Sequence, residues 1–191
     1  MPGRHGSSYA DLKRSMSENE TITAIAGDGT LYPIDKLDAH VRNIRHVAIS
    51  VFVLEGGRLL LQKRATGKYH SAGLWANSCC SHPRWNESVE TCAARRLREE
   101  LGWSVPLTKF GTIAYTAKVG ALFENEVAHC FFGRVEPGMS VENFNIQEVA
   151  AVEWRTLSQI AEDLETEPQQ FTEWFRIYIT RHLDMIGPLA Q

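Results

Sequence analysis

Two short stretches carry the residue types that do chemistry in this chain. One is Asn77-Ser78-Cys79-Cys80-Ser81-His82-Pro83; the other is Glu124-Asn125-Glu126. Cys80 offers a thiol, with the His82 imidazole two residues beyond it. Glu124 and Glu126 are two apart, so on a strand they point the same way. A thiol and a carboxylate can act as a proton donor and acceptor pair. Two like charges on one sheet face are unfavourable without a counter-ion, and a metal supplies one. His40, His46 and His82 can join Glu124 and Glu126 if the fold brings the segments together. Such a mixed imidazole and carboxylate set suits a first-row divalent ion such as Mn²⁺, Zn²⁺ or Fe²⁺.

Cations and aromatics complete the candidates. Arg64 and Lys68 follow one core strand, Lys36 precedes His40, and Arg96 projects from a helix. Singly each is an ordinary surface charge; together they have the numbers of a phosphate clamp. Tyr115 lies on the strand ahead of Glu124. Trp75, Trp154 and Trp174 default to core packing. Trp174, opening the last helix, has the sharper option of presenting its ring face to a cation.

These residues need elements to position them. Residues 21–34 predict a hairpin turning at Asp28-Gly29, and 36–42 a connecting segment. The β-branched run 45–54 predicts a buried strand, Gly56-Gly57 a turn, and 58–63 its partner strand. The stretch 66–83 is rich in Gly, Ser, Asn and His and predicts a long functional loop. Val89, Ala93, Leu97 and Leu101 repeat at four-residue spacing, so 87–101 is the clearest helix. Asn86 or Ser88 caps it and Gly102 ends it. Strands follow at 110–119, 125–135 and 150–155, then helices at 158–165 and 172–186. This order predicts an α+β fold, a layered mixed β-sheet sandwich with flanking helices.

Composition bounds the rest. The 191 residues suit one domain at 21–191, preceded by a flexible arm at 1–20 that includes His5. A net charge of -3 gives no basic surface for nucleic acid. No apolar run approaches the roughly 20 residues of a membrane helix. The N-terminus lacks the apolar core of a secretory signal. Four cysteines, two of them adjacent, are no disulfide framework at this length, so a cytoplasmic protein with free thiols is expected.

Glu87, then Arg95 to Gly102, resembles the Nudix box G-x5-E-x7-R-E-U-x-E-E-x-G-U. Ser81 stands at its first glycine and Arg96 at the glutamate after the arginine. Nudix carboxylates hold a divalent metal against a diphosphate; alternatively, the helix is a solvated one laced with ion pairs. The run Trp75-Ala76-Asn77-Ser78-Cys79-Cys80-Ser81-His82-Pro83 resembles W-x-N-x-x-C-x-H-P, and Glu124-Asn125-Glu126 resembles E-N-E. Both are motifs of the type 1 isopentenyl-diphosphate isomerases, a Nudix-fold family, and the likeness runs from Leu31 to the last helix.

The resemblance implies a 1,3-allylic proton shift that turns isopentenyl diphosphate into dimethylallyl diphosphate through a tertiary carbocation. It implies Cys80 and Glu126 as the acid/base groups on opposite faces of the substrate. Tyr115 would assist the glutamate, and Trp174 would face the cation. His40, His46, His82, Glu124 and Glu126 would bind one divalent metal, Mn²⁺ or Zn²⁺. Glu100, with the Cys80 carbonyl, would tie Mg²⁺ to the diphosphate, and Lys36, Arg64, Lys68 and Arg96 would contact it. The His40–His46 and Tyr115–Glu124 spacings are each one residue shorter than in the family. Two other functions compete. Glu87, Glu99 and Glu100 suit a nucleotide pyrophosphohydrolase, against which Arg96 argues. A metal-dependent binding module without chemistry is the third.

Overall fold

The computed structural model describes residues 20–139 and 141–190. The predicted arm at 1–20, His5 included, lies outside these except for its last residue. β1 (Thr21–Ile25) and β2 (Leu31–Asp35) pair as the expected hairpin. β3 (His46–Glu55) is buried along its whole length, because it is central to the sheet and packed on both faces. It is antiparallel to β1, β4 (Arg58–Arg64) and β6 (Cys79–Ser81), and parallel to β8 (Leu122–Arg134). β7 (Thr108–Val119) pairs with β8, while β5 (Trp75–Asn77) and β9 (Val149–Thr156) pair with β4. The sheet is therefore mixed, and the α+β expectation holds.

The period-2 pleat of β3 divides the core. Ile49, Val51 and Val53 meet Cys92, Ala93, Leu97 and Leu101 of helix α2 (Val89–Leu101) on one face. Ala48, Phe52 and Leu54 belong to the opposite cluster, with Trp174, Phe175 and Tyr178 of α4 (Glu173–Arg181). Ser88, not Asn86, caps α2 by accepting from the Thr91 amide, and Gly102 closes it at φ 72°. α3 (Leu157–Thr166) begins with a capping box between Thr156 and Gln159.

Three expectations need correction. The connection at 36–42 contains a helix, α1 (Lys36–Val41), whose first turn is capped by the Asp35 side chain. The long loop at 66–83 holds the strands β5 and β6, too short to show periodicity and made by pairing with β4 and β3. The helix at 172–186 breaks at His182, whose φ of -133° is not helical, and resumes as α5 (Leu183–Ile186). No helix of the described residues is long and apolar enough to cross a membrane.

Candidate active site

The register of the central strands puts the chemistry in rows. His46 of β3 is the Cα partner of Glu126 of β8, and Glu126 is the partner of Tyr115 of β7. Partners in register share a face, so one line of three residues crosses three strands. Tyr115 Oη donates to Glu126 Oε2 at 2.5 Å. His82 Nε2 lies 2.8 Å from Glu126 Oε1, and His46 Nε2 lies 3.2 Å from His82 Nε2. Two residues along β8, Glu124 Oε2 is 3.3 Å from His40 Nε2. His40 reaches this point from α1, the helix absent from the expected elements. The two short spacings, His40–His46 and Tyr115–Glu124, still bring these side chains together.

This cluster fits a divalent cation. Donor atoms of His40, His46, His82, Glu124 and Glu126 all lie within 4.8 Å of one another, and all five residues are buried. A cation with bonds of about 2.1 Å spans opposite donors roughly 4.2 Å apart, so a small contraction completes the site. His40 Nδ1 and His46 Nδ1 point at the Lys36 and Ile44 carbonyls, at 2.6 and 2.7 Å. Donation there leaves each Nε2 with a free lone pair, the tautomer a metal requires. His40 Nε2 and Glu124 Oε1 are buried without a hydrogen bond. Burial opposes a charge on His40, yet Glu124 beside it raises its pKa. Burial, with His46 next, pushes the His82 pKa well below its ordinary value. Two buried carboxylates among these rings are costly unless a cation offsets them.

The second row carries the thiol. Cys80 of β6 pairs with Ser50 of β3, and Cys79 with Val51. Cys79 therefore enters the α2 core, whereas Cys80 faces the other side and lines a cleft. Asn77 fixes this row. Its Nδ2 donates to Ser50 Oγ and the Val51 carbonyl, both at 2.9 Å, and its Oδ1 accepts from Cys80 Sγ at 3.1 Å. Asn77 and Ser50 are fully buried. Asn77→Ala should lower stability by about 1–3 kcal/mol, because buried partners lose their hydrogen bonds, as a urea unfolding midpoint will show. Burial pushes the Cys80 thiol up to about 12, with Ser50 working against it, so it holds its proton at neutral pH. Burial also pushes the Glu126 carboxyl up, but a protonated His46 beside it outweighs this and brings Glu126 down to about 2; a divalent cation bound to a neutral His46 would act in the same direction. A protonated thiol and an ionised carboxylate thus line the same cleft.

Cys80, Tyr115, Glu124, Glu126 and His82 line one cleft. Trp174 forms another part of its wall. All four expected cations line it too, Lys36, Arg64, Lys68 and Arg96. Lys36 pairs with Glu20 at 2.8 Å, and Lys68 with Glu148 at 2.5 Å. Arg96 meets Glu100 at 2.7 Å and Glu148 at 3.3 Å. Arg64 lies 5.2 Å over the Trp174 ring. Glu100 faces the cleft, with its second oxygen held by Gln62 at 3.0 Å. Glu87 and Glu99 do not line it; they pair with Arg95 at 2.6 and 3.0 Å. Among the described residues, Glu87, Glu99 and Glu100 do not form a group of converging metal donors.

Cleft residues absent from the expected set are Gln62, Tyr69, His70, Ser81 and Glu148. Tyr69 and His70 sit in the loop whose composition already marked it as functional. Glu148 carries no local signal, since its place depends on the turn into β9. His70 Nε2 lies 3.4 Å from Glu124 Oε1.

Comparison with known proteins agrees with this geometry. The NUDIX domain family matches residues 44–175. An isopentenyl-diphosphate Delta-isomerase of Jannaschia sp. (strain CCS1) is 50% identical over 161 residues, 83% of this chain and 91% of the relative. One from Rhodobacter capsulatus is 44% identical over 84% of this chain and 92% of its own. Among solved structures, a Deinococcus radiodurans protein superposes with a TM-score of 0.70 at 14% identity. It covers 85% of this chain and 98% of its own, a likeness of fold.

Proposed function

The chain belongs to the isopentenyl-diphosphate Delta-isomerase family of NUDIX-fold enzymes, and we propose that Cys80 and Glu126 are the groups that move its protons. It is an isomerase that converts isopentenyl diphosphate to dimethylallyl diphosphate, a step of isoprenoid metabolism. The observation that carries the assignment is that Cys80 and Glu126 line one cleft together with four cationic side chains.

The substrate's needs explain the residue types. A proton must be added to the terminal methylene, giving a tertiary cation, and another lost from the carbon next to the diphosphate-bearing one. One member of the Cys80–Glu126 pair gives its proton while the other accepts, and the reverse reaction exchanges the roles. Tyr115, bonded to Glu126, steadies the carboxyl and shares its proton. Trp174 offers a ring face to the cation, worth about 2 kcal/mol when dry. Trp174 and Tyr115 also exclude water, which would otherwise trap the cation as an alcohol.

Lys36, Arg64, Lys68 and Arg96 hold the diphosphate. Arg96, where a hydrolase has a metal-binding glutamate, favours gripping the tail over cleaving it. Mg²⁺ at Glu100 and the Cys80 carbonyl, and Mn²⁺ or Zn²⁺ at His40, His46, His82, Glu124 and Glu126, would neutralise the tail and hold Glu126 in place. Residues 21–191 then act as one domain on a small-molecule substrate in the cytoplasm, with neither nucleic acid nor a membrane as partner.

The test is incubation with isopentenyl diphosphate and Mg²⁺ in D₂O. Deuterium in both substrate and product, without phosphate release, is the expected result. Phosphate release from a nucleotide panel would instead favour the hydrolase, and no label at all a binding module.

A further inference from the structure

We propose that His70 is a positioning residue that orients the Glu124 carboxylate for the metal and braces Trp174. This rests on the isomerase assignment for Trp174 and on the donor cluster for Glu124. His70 stands where three parts of the cleft meet. Its Nε2 is 3.4 Å from Glu124 Oε1, the oxygen left without a hydrogen bond, while Oε2 faces His40 at 3.3 Å. Its ring meets Trp174 edge-on, with centroids 5.9 Å apart and planes at 82°. Its backbone carbonyl accepts from Arg64 Nη2 at 3.2 Å, and that guanidinium lies over the same Trp174 ring.

The loop is built to hold the ring there. Ser71 adopts φ 50°, a left-handed conformation that is strained for a serine. This strain turns the Ser71 hydroxyl to within 3.3 Å of His70 Nδ1. When the hydroxyl donates to Nδ1, the ring proton is fixed on Nε2, the atom facing Glu124. Glu124 Oε1 then faces a donor at 3.4 Å, and Oε2 faces the cluster. His70 is an outer partner and not a sixth ligand: the five donors already converge, and His70 is outside that group. Outer partners of this kind typically set metal affinity by 10- to 100-fold.

The experiment strips the full-length protein of metal and titrates it with Zn²⁺ alone against a chromogenic chelator. His70→Ala is expected to bind Zn²⁺ about 10- to 100-fold more weakly than wild type, with an unchanged circular dichroism spectrum. His70→Gln, whose amide places a donor near the Nε2 position, is expected to recover most of the affinity. His70→Asn, too short to reach, is not. In turnover, His70→Ala should lower kcat while KM for isopentenyl diphosphate changes little. Equal Zn²⁺ affinity in wild type and His70→Ala, or no Zn²⁺ binding by wild type, would overturn the inference. If His70→Ala fails to fold, the comparison of Gln with Asn decides. Gln no better than Asn defeats the outer-partner role. Because Zn²⁺ affinity is read without substrate, loss of the isomerase assignment would show separately, as no deuterium uptake by a wild type that still binds Zn²⁺.

Discussion

Cys80→Ala is expected to lower kcat by about 10²–10⁴-fold, the usual contribution of a positioned proton-transfer group. KM for isopentenyl diphosphate should stay within a few-fold of wild type, because the four cations proposed to hold the tail are untouched. The neighbouring thiol provides the control. Cys79 is fully buried against α2, so Cys79→Ala should cost about 1–2 kcal/mol of stability and leave turnover near normal. The pleat of one short strand thus predicts opposite outcomes for adjacent cysteines. Steady-state kinetics and urea unfolding of both variants check it. Near-normal turnover in Cys80→Ala would defeat the assignment of the thiol.

The second large effect is expected from Glu126→Gln, which preserves shape and removes charge. Glu126 has Tyr115 at 2.5 Å, His82 at 2.8 Å and His46 at 3.7 Å among its polar neighbours. The amide loses the charge that would balance a bound cation and could no longer serve the proposed proton exchange, so kcat should fall by about 10³-fold or more. Metal content by mass spectrometry after dialysis should fall with it. Glu124→Gln separates the two losses. It removes a metal donor and leaves the proton-transfer pair in place. Excess Mn²⁺ should therefore restore much of the activity of Glu124→Gln and little of Glu126→Gln. Equal rescue of both would remove Glu126 from proton transfer and leave it a ligand alone.

Much of this was legible in the residue order, for identifiable reasons. The Glu124–Glu126 face follows from period-2 geometry and the β3 strand from its β-branched run, both of which are local. The α2 helix announces itself by its apolar stripe, its Ser88 cap and Gly102. Helix α1 was missed because it has only six residues, too few for a periodic pattern, although Asp35 offered a cap. β5 and β6 have three residues each and exist through pairing with β4 and β3, a long-range cause. The same holds for Glu148 and His70. Glu148 reaches Lys68 and Arg96 from a turn that docks on α2 through the Asn145 amide and the Glu100 carbonyl, at 2.9 Å. His70 lies beside a serine at φ 50°, a conformation that composition does not reveal.

The row through Ser50 has a redox consequence. Cys80, Ser50 and Cys130 are successive partners across β6, β3 and β8. Two sulfur-bearing residues separated by an intervening strand have Cα atoms roughly 10 Å apart, beyond the reach of a disulfide. Cys79 is turned to the opposite layer. An oxidant entering the cleft therefore meets a sulfur with no resolving thiol among the described cysteines. Sulfenic acid formed at Cys80 would have no internal route back, and further oxidation to sulfinic acid would silence the enzyme for good.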